Sequence, residues 1–130
     1  MMETVSAENF HRRITELHKE IREAYRKLGM IQSVYDKRLA EMYHKLERME
    51  ADDVDSIAFT QELKAVLERR RVVKDEKARM RLFNGLAGHC LREIDLYYDK
   101  TLEASFQIRN DFNVRLTLDQ VLTEVGVELG

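Results

Sequence analysis

The sequence predicts an all-α protein, an elongated antiparallel helical bundle or coiled-coil hairpin. Three observations support this prediction. Proline is absent from all 130 residues, and proline is the residue that most often interrupts helices. Apolar residues recur at steps of three and four over long stretches, as they do along one side of a helix. Charged residues make up 35% of the chain, a share that is typical of exposed helices.

The first predicted helix is very long, from about residue 7 to residue 50, and Ser6 suits its N-cap. Its apolar positions are Phe10, Ile14, Leu17, Ile21, Ala24, Leu28, Ile31, Tyr35, Leu39, Met42, Leu46 and Met49. Two successive steps of four after Ile31 predict a stutter in the coiled coil. At 1.5 Å per residue the helix would be ~65 Å long. We therefore expect an elongated molecule, a bent helix, or a second chain that covers part of it.

The segment 51–56 reads as a turn, and Asp52, Asp53, Asp55 and Ser56 are possible N-caps for a second helix over 57–84. The apolar positions of that helix are Phe59, Leu63, Val66, Leu67, Val73 and Met80. Two seam charges, Arg70 and Lys77, fall at the centre of this apolar side. Asn84-Gly85 predicts a helix stop with Gly85 in a left-handed conformation. Gly88 follows closely, which favours a break over one continuous helix.

A third helix is predicted over 87–115 and a short fourth helix over 118–125. The apolar positions of the third helix are Leu91, Ile94, Tyr98, Leu102, Phe106 and Phe112. Thr117 and Gln120 form a capping box for the last helix. We therefore expect one helical domain over 1–130 that contains four helices joined by short connections.

Composition limits the cellular setting. Cys90 is the only cysteine, so an intrachain disulfide is excluded, which fits a reducing compartment. The first residues contain no apolar segment typical of a secretory signal, and no apolar run approaches the ~20 residues that span a bilayer. We expect a soluble, cytoplasmic protein.

Two carboxylate patterns resemble metal sites but are incomplete. Glu41 and His44 form a single E-x-x-H, whereas a di-iron bundle needs two copies and two further carboxylates. Helical periodicity also places both residues opposite the apolar side. Glu47, Glu50 and Asp53 give two overlapping acidic pairs at one helix end, where they cannot face each other across a bundle. We expect no metal at either place.

His89, Cys90 and Glu93 lie close together on the third helix, but a metal or nucleophile site needs partners that the sequence does not supply. Cys90 adjoins the apolar positions, so we expect it to be a small core residue. Phosphate-binding glycine loops and nucleophile motifs are absent from the sequence. We therefore predict that the chain is not an enzyme and needs no cofactor.

Charge is distributed unevenly along a chain whose net charge is -2. Residues 64–81 contain eight basic and three acidic side chains, whereas residues 91–130 contain four basic and eight acidic ones. The candidate partner-binding residues are Arg69, Arg71, Lys74, Arg81 and Tyr97, the last because tyrosine is favoured at interfaces.

Three interpretations of the basic segment remain open. It could lie against the acidic third helix of its own or a second chain, with Arg70 and Lys77 setting register. It could bind an acidic surface of another protein. It could bind nucleic acid, although few aromatic residues are interleaved for base stacking. A helix-turn-helix is disfavoured because Glu93, Asp95 and Asp99 would repel phosphate.

The segment 61–81, with Gln61-Glu-Leu-Lys followed by Glu68-Arg-Arg-Arg and Lys74-Asp-Glu, resembles small helical proteins of Gram-positive bacteria and their phages. The resemblance implies a phage- or prophage-type accessory protein that binds a host factor, and it implies no site residues. Together with the charge pattern, it predicts a non-enzymatic protein–protein interaction module, an inhibitor or adaptor. We also expect self-association, with a dimer favoured. The alternative is a nucleic-acid-binding regulator that uses the basic segment 64–81.

Overall fold

The computed structural model describes residues 6–50 and 56–129, which form three α-helices. These are α1 (Ala7–Arg48), α2 (Ser56–Asp111) and α3 (Leu118–Val125). The described residues contain no strand, and α1 packs against α2. The prediction of an all-α fold with a very long first helix is therefore confirmed.

The start of α1 follows the sequence prediction. The backbone N–H of Asn9 donates to Ser6 Oγ at 3.2 Å, so Ser6 satisfies one of the backbone donors that a helix start leaves free. The helix ends at Arg48, two residues before the predicted end. The expected caps Asp52, Asp53 and Asp55 lie outside the described residues, and Ser56 is the first residue of α2.

The predicted break between a second and a third helix is wrong, because α2 runs without interruption from Ser56 to Asp111. Gly85 does not adopt a left-handed conformation; Gly126 is the one described glycine with positive φ. The reason is a continuous row of seam positions that alternate steps of four and three. These positions, all buried or half-buried, are 59, 63, 66, 70, 73, 77, 80, 84, 87, 91, 94 and 98.

Asn84 and Ala87 occupy the two seam positions between Met80 and Leu91, and both are half-buried. Neither is a large apolar residue. The spacing of large apolar residues therefore predicts that the row ends after Met80. A glycine inside a helix costs about 1 kcal/mol relative to alanine. Packing along the whole row offsets that cost at Gly85 and Gly88.

The seam of α1 also differs from the predicted one. His11, His18, Tyr25 and Gln32 are half-buried, whereas Phe10 and Leu17 are 48% and 55% exposed. The half-buried row continues through Leu39 in unbroken heptad steps. The predicted stutter after Ile31 is therefore wrong. The exposed apolar residues Phe10, Ile14, Leu17 and Ile31 each lie one position before a half-buried residue, whereas Ile21 and Leu28 are half-buried themselves. The second step of four arises because Ile31, and not Gln32, was taken as the member of the row.

The chain forms two compact units, each built from a part of α1 and a part of α2. The first lies within Glu20–Gly85. Its core contains Met42, Phe59 and Val66, and it is surrounded by the half-buried Tyr35, Leu39, Met49 and Leu63. Asp36 of α1 contacts Arg70 of α2, and Tyr25, which is earlier in α1, contacts Lys77, which is later in α2. The two helices of this unit are therefore antiparallel.

The second unit lies within Met1–Lys19 and Leu86–Gly130. Its helix pair is also antiparallel, because His11 lies beside Asp95 while His18 lies beside Gly88. Leu91 is its buried apolar residue among those described. Phe106 and Phe112, predicted on the apolar side of a helix reaching residue 115, are both exposed, and α2 ends at Asp111.

The capping box of α3 is confirmed. Gln120 N–H donates to Thr117 Oγ1 at 3.3 Å, and Thr117 N–H donates to Gln120 Oε1 at 2.9 Å. Gly126 ends the helix in the left-handed conformation, at φ 74°, where a glycine avoids the strain that a Cβ would cause.

Candidate interaction surface

The basic segment of α2 packs beside a part of α1 that is also basic, within the unit Glu20–Gly85. Residues 22–38 of α1 contain five basic and two acidic side chains, and residues 64–81 of α2 contain eight and three. The contacts Asp36–Arg70 and Tyr25–Lys77 place these two segments side by side. Together they carry a net charge of +8 in 35 residues. This pair of segments is strongly basic in a chain whose net charge is -2.

One seam charge, Arg70, is half-buried and paired across the two helices. Its Nε donates to Asp36 Oδ1 at 2.6 Å, with 29% of the Arg70 side chain exposed. The charge-assisted hydrogen bond neutralises one of the eight basic groups of the segment. The bond joins α1 to α2 at this level, and Asp36 is one of two acidic residues in the facing part of α1.

The other seam charge, Lys77, packs against an aromatic ring. Its Nζ lies 5.5 Å from the ring centre of Tyr25, within the range of a cation–π interaction. A methyl group at Gly29 would lie 3.6 Å from the same Nζ. Lys77 therefore crosses α1 beside its glycine, with its apolar stem covered and its ammonium group at the edge of the seam.

Three of the candidate partner-binding residues share one side of α2. Arg71 and Lys74 are one helical turn apart, and Arg81 follows Lys74 by two turns. All three are exposed. None of them forms an ion pair or hydrogen bond with another residue among the described ranges 6–50 and 56–129. Their charges face solvent.

The remaining two candidates lie elsewhere. Arg69 is two residues before Arg71, about 200° away around the helix, and its guanidinium donates to the Ala65 carbonyl at 3.0 Å. Tyr97 belongs to the other unit, is 65% exposed, and has Lys100 Nζ 5.9 Å from its ring centre. The five candidates therefore do not form one continuous set.

A polar cluster in the second unit was missed by the sequence analysis. His11 Nε2 and Asp95 Oδ1 are 2.6 Å apart, and the His11 ring stacks on Tyr98 with centroids 4.5 Å apart. A methyl group at Gly88 would lie 3.2 Å from His18 Nε2. The seven-residue spacing of His11, His18 and Tyr25 was the available signal, because polar residues at heptad spacing can occupy a seam.

The residues considered for catalysis or metal binding that lie on exposed helix surface are Glu41, His44, Glu47, His89, Cys90 and Glu93. Glu50 follows the end of α1, and Asp53 lies outside the described residues. His44 Nδ1 is 3.9 Å from Glu47 Oε2, and His89 Nε2 is 3.4 Å from Glu93 Oε1. Within the ranges 6–50 and 56–129, no three His, Cys, Asp or Glu residues come together as metal ligands. Cys90 is exposed, so its expected place in the core is wrong; it lies one position before Leu91 in the seam.

Glu23 and Arg26 form an ion pair on the exposed surface of α1. The Arg26 guanidinium donates two hydrogen bonds to Glu23 and lowers the pKa of that carboxyl.

Among the helices in the described part of the chain, none contains an apolar stretch long enough to cross a membrane.

No family model, curated protein or solved structure matches this sequence.

Proposed function

We propose that the chain is a non-enzymatic interaction module that binds an acidic protein surface through Arg71, Lys74 and Arg81. One observation carries the proposal: these side chains are exposed and unpaired within the described residues, in a section where both helices are basic. Like charges at this density repel one another and oppose folding. A partner that supplies carboxylates would relieve that repulsion.

The contrast with Arg70 and Lys77 supports this assignment. Those two basic residues have partners across the helix pair, Asp36 and Tyr25 respectively, so packing within the chain accounts for them. Arg71 and Lys74 contribute nothing comparable to the fold. The charges of α2 thus divide into those that position the helices and those available to a partner.

A protein partner is favoured over nucleic acid because residues 64–81 contain no aromatic side chain, whereas single-stranded nucleic acid is usually bound with stacked aromatic rings. The resemblance of segment 61–81 to phage-type proteins supports a host factor as the target. In that setting the module acts as an inhibitor or adaptor.

A pull-down from nuclease-treated lysate tests the proposal. The bait is the full chain, beside a variant carrying Arg71→Glu, Lys74→Glu and Arg81→Glu. The matched control carries Arg13→Glu and Arg92→Glu, two exposed basic residues of the other unit, with Lys19→Glu completing the same change in net charge. We expect a partner retained by wild type and control but reduced at least tenfold with the first variant, while far-ultraviolet circular dichroism shows equal helicity.

Three results would count against the proposal. Equal loss with both variants would mean that overall charge, and not this site, retains the partner. Equal retention would show that the site is elsewhere. Recovery of nucleic acid from untreated lysate, with affinity falling steeply between about 50 and 200 mM salt, would favour the nucleic-acid regulator instead.

A further inference from the structure

The exposed large apolar residues of the second unit are concentrated near its C-terminal end. Single exposed apolar residues are normal on a monomer, whereas a dense group of them usually marks an interaction surface. We call residues 106–129 the C-terminal surface. Its ten large apolar residues, each between 41% and 77% exposed, are Phe106, Ile108, Phe112, Val114, Leu116, Leu118, Val121, Val125, Val127 and Leu129.

The seam side of α2 continues into this surface past the start of α1. Steps of three and four extend the seam row beyond Tyr98 to Ile108 and Phe112. The antiparallel pairing of the second unit places Ala7, the first residue of α1, level with about residue 99. Ile108 therefore lies about 13 Å further along α2. Ile108 is 57% exposed and Phe112 is 77% exposed, so this end of the seam is uncovered.

α3 has an apolar side that is also uncovered. Leu118, Val121, Leu122 and Val125 follow the i, i+3, i+4, i+7 spacing that places them on one side of a helix. Of these four residues, Leu122 is half-buried and the other three are exposed. A helix of eight residues is marginal in water unless its apolar side packs against something.

Local hydrogen bonds fix the turn between α2 and α3. The Val114 N–H donates to the Arg109 carbonyl at 2.8 Å, and the Arg109 guanidinium donates to the Leu116 carbonyl at 3.2 Å. Asn113 adopts the left-handed conformation at φ 53°, which asparagine tolerates better than most residues. In this arrangement α3 leaves both the end of the seam and its own apolar side exposed. Their cover has to come from another molecule.

We propose that this molecule is a second copy of the chain, in a symmetric dimer where α3 of each copy packs over Ile108 and Phe112 of the other. The inference is independent of the proposed function, whose residues lie in the unit Glu20–Gly85. A twofold axis brings the same surface of both copies together. The C-terminal surface suits this symmetry because it contains two uncovered apolar sides, and each can cover the other across the axis.

The size of the surface is sufficient for a stable dimer. It contains 24 residues, and 23 of them are exposed. A standard protein interface uses about 20–30 residues on each side.

The charges favour the same packing. Residues 108–116 contain two basic side chains and one acidic, whereas residues 117–129 contain three acidic and no basic side chains. Packing α3 on the end of the other copy's α2 therefore joins opposite charges twice. Packing α3 on α3 would join like charges, which opposes association. The hydrogen bonds of Arg109 and Arg115 within the chain end on neutral oxygens of Leu116 and Asn113, so both basic residues keep their positive charge for the second copy.

Analytical ultracentrifugation of the full chain over about 1–100 μM tests the proposal. We expect a reversible dimer for the wild type. Ile108→Glu and Val125→Glu should each weaken dimerisation at least tenfold, because each places a carboxylate in the apolar contact. Leu96→Glu is the matched control: Leu96 is on the same helix and in the same unit, is 55% exposed, and lies away from the seam. It should leave dimerisation within twofold of the wild type, and circular dichroism should show equal helicity for all three variants.

A charge exchange tests which surfaces meet. Arg115→Glu and Glu124→Lys should each weaken dimerisation about two- to tenfold, since exposed ion pairs contribute modestly and each contact occurs twice. In an equimolar mixture, native mass spectrometry separates the mixed dimer from the two homodimers by mass. The mixed dimer should exceed the half share that random pairing gives, because the two reversed charges attract each other at one contact and the native charges do so at the other.

A monomer up to about 100 μM would overturn the proposal. So would a dimer that survives Ile108→Glu or Val125→Glu, or one that Leu96→Glu weakens equally. A mixed dimer at or below its random share would exclude the packing of α3 on α2.

Discussion

Replacing Gly85 by alanine tests the continuity of α2 directly. Gly85 has an ordinary helical backbone, and a methyl group there would meet nothing within 4 Å. The change should therefore give the full helix-propensity gain of about 0.8–1.0 kcal/mol. For a chain of this size, that corresponds to a rise in melting temperature of about 3–5 °C. If Gly85 instead ended a helix in the left-handed conformation, alanine would cost about 1–2 kcal/mol.

Urea unfolding followed by circular dichroism at 222 nm measures the effect. Protein concentration must be held constant, because self-association would shift apparent stability. Gly29→Ala is a matched control with an expected gain of similar sign, since its methyl group would make ordinary contact with Lys77 Nζ at 3.6 Å. A lower midpoint for Gly85→Ala, beside a raised midpoint for Gly29→Ala, would refute the continuous helix.

Three smaller effects follow from individual contacts. Asp36→Ala should cost less than about 1 kcal/mol in urea unfolding, because its pair with Arg70 is partly exposed; a larger loss would mean that the pair holds the seam. Thr117→Ala should cost about 1 kcal/mol of local stability in α3, seen as faster hydrogen exchange at Gln120 with the centre of α2 unchanged. The interaction with Arg26 that lowers the pKa of Glu23 stabilises the folded state at pH values above the ordinary carboxyl pKa. This stabilisation is lost as the pH falls through the lowered pKa of Glu23. In an NMR titration, Arg26→Ala should return the Glu23 midpoint toward its ordinary value; an unchanged midpoint would exclude the hydrogen bond as the cause.

The fold could be predicted from the sequence where local signals decide it. The Ser6 cap, the length of α1 and the Thr117–Gln120 capping box depend on short-range chemistry. The wrong prediction of a break at Asn84-Gly85 arose because the turn propensity of these residues is a local signal. The half-buried row that continues through Asn84 and Ala87 contains no large apolar residue there and was not recognised. Tertiary packing overrode the local preference.

The phase of the α1 seam shows a similar limit. Phe10 and Leu17 are more hydrophobic than His11 and His18, so hydrophobic periodicity alone selects the wrong row. The distinction depends on what α2 presents opposite each row, including Asp95 beside His11 and Gly88 beside His18. A single helix pattern does not contain that information.

The candidate site could be predicted only in part, because the sequence does not show which helix faces pack together. The sequence located the basic segment and its net charge. Which basic residues are used by the fold depends on the pairing of the helices, because Arg70 finds Asp36 while Arg71, its neighbour, faces solvent.

The position of the apolar core of the unit Glu20–Gly85 has a kinetic consequence. Met42 and Phe59 are 17 residues apart, whereas His11 and Asp95 are 84 apart. Because closure entropy grows with the logarithm of loop length, the shorter loop closes at a cost lower by about 1.4 kcal/mol. Folding should therefore begin near the connection between α1 and α2, and the helix ends should pair last. Core substitutions at Phe59 would then slow folding, while changes at His11 would mainly speed unfolding.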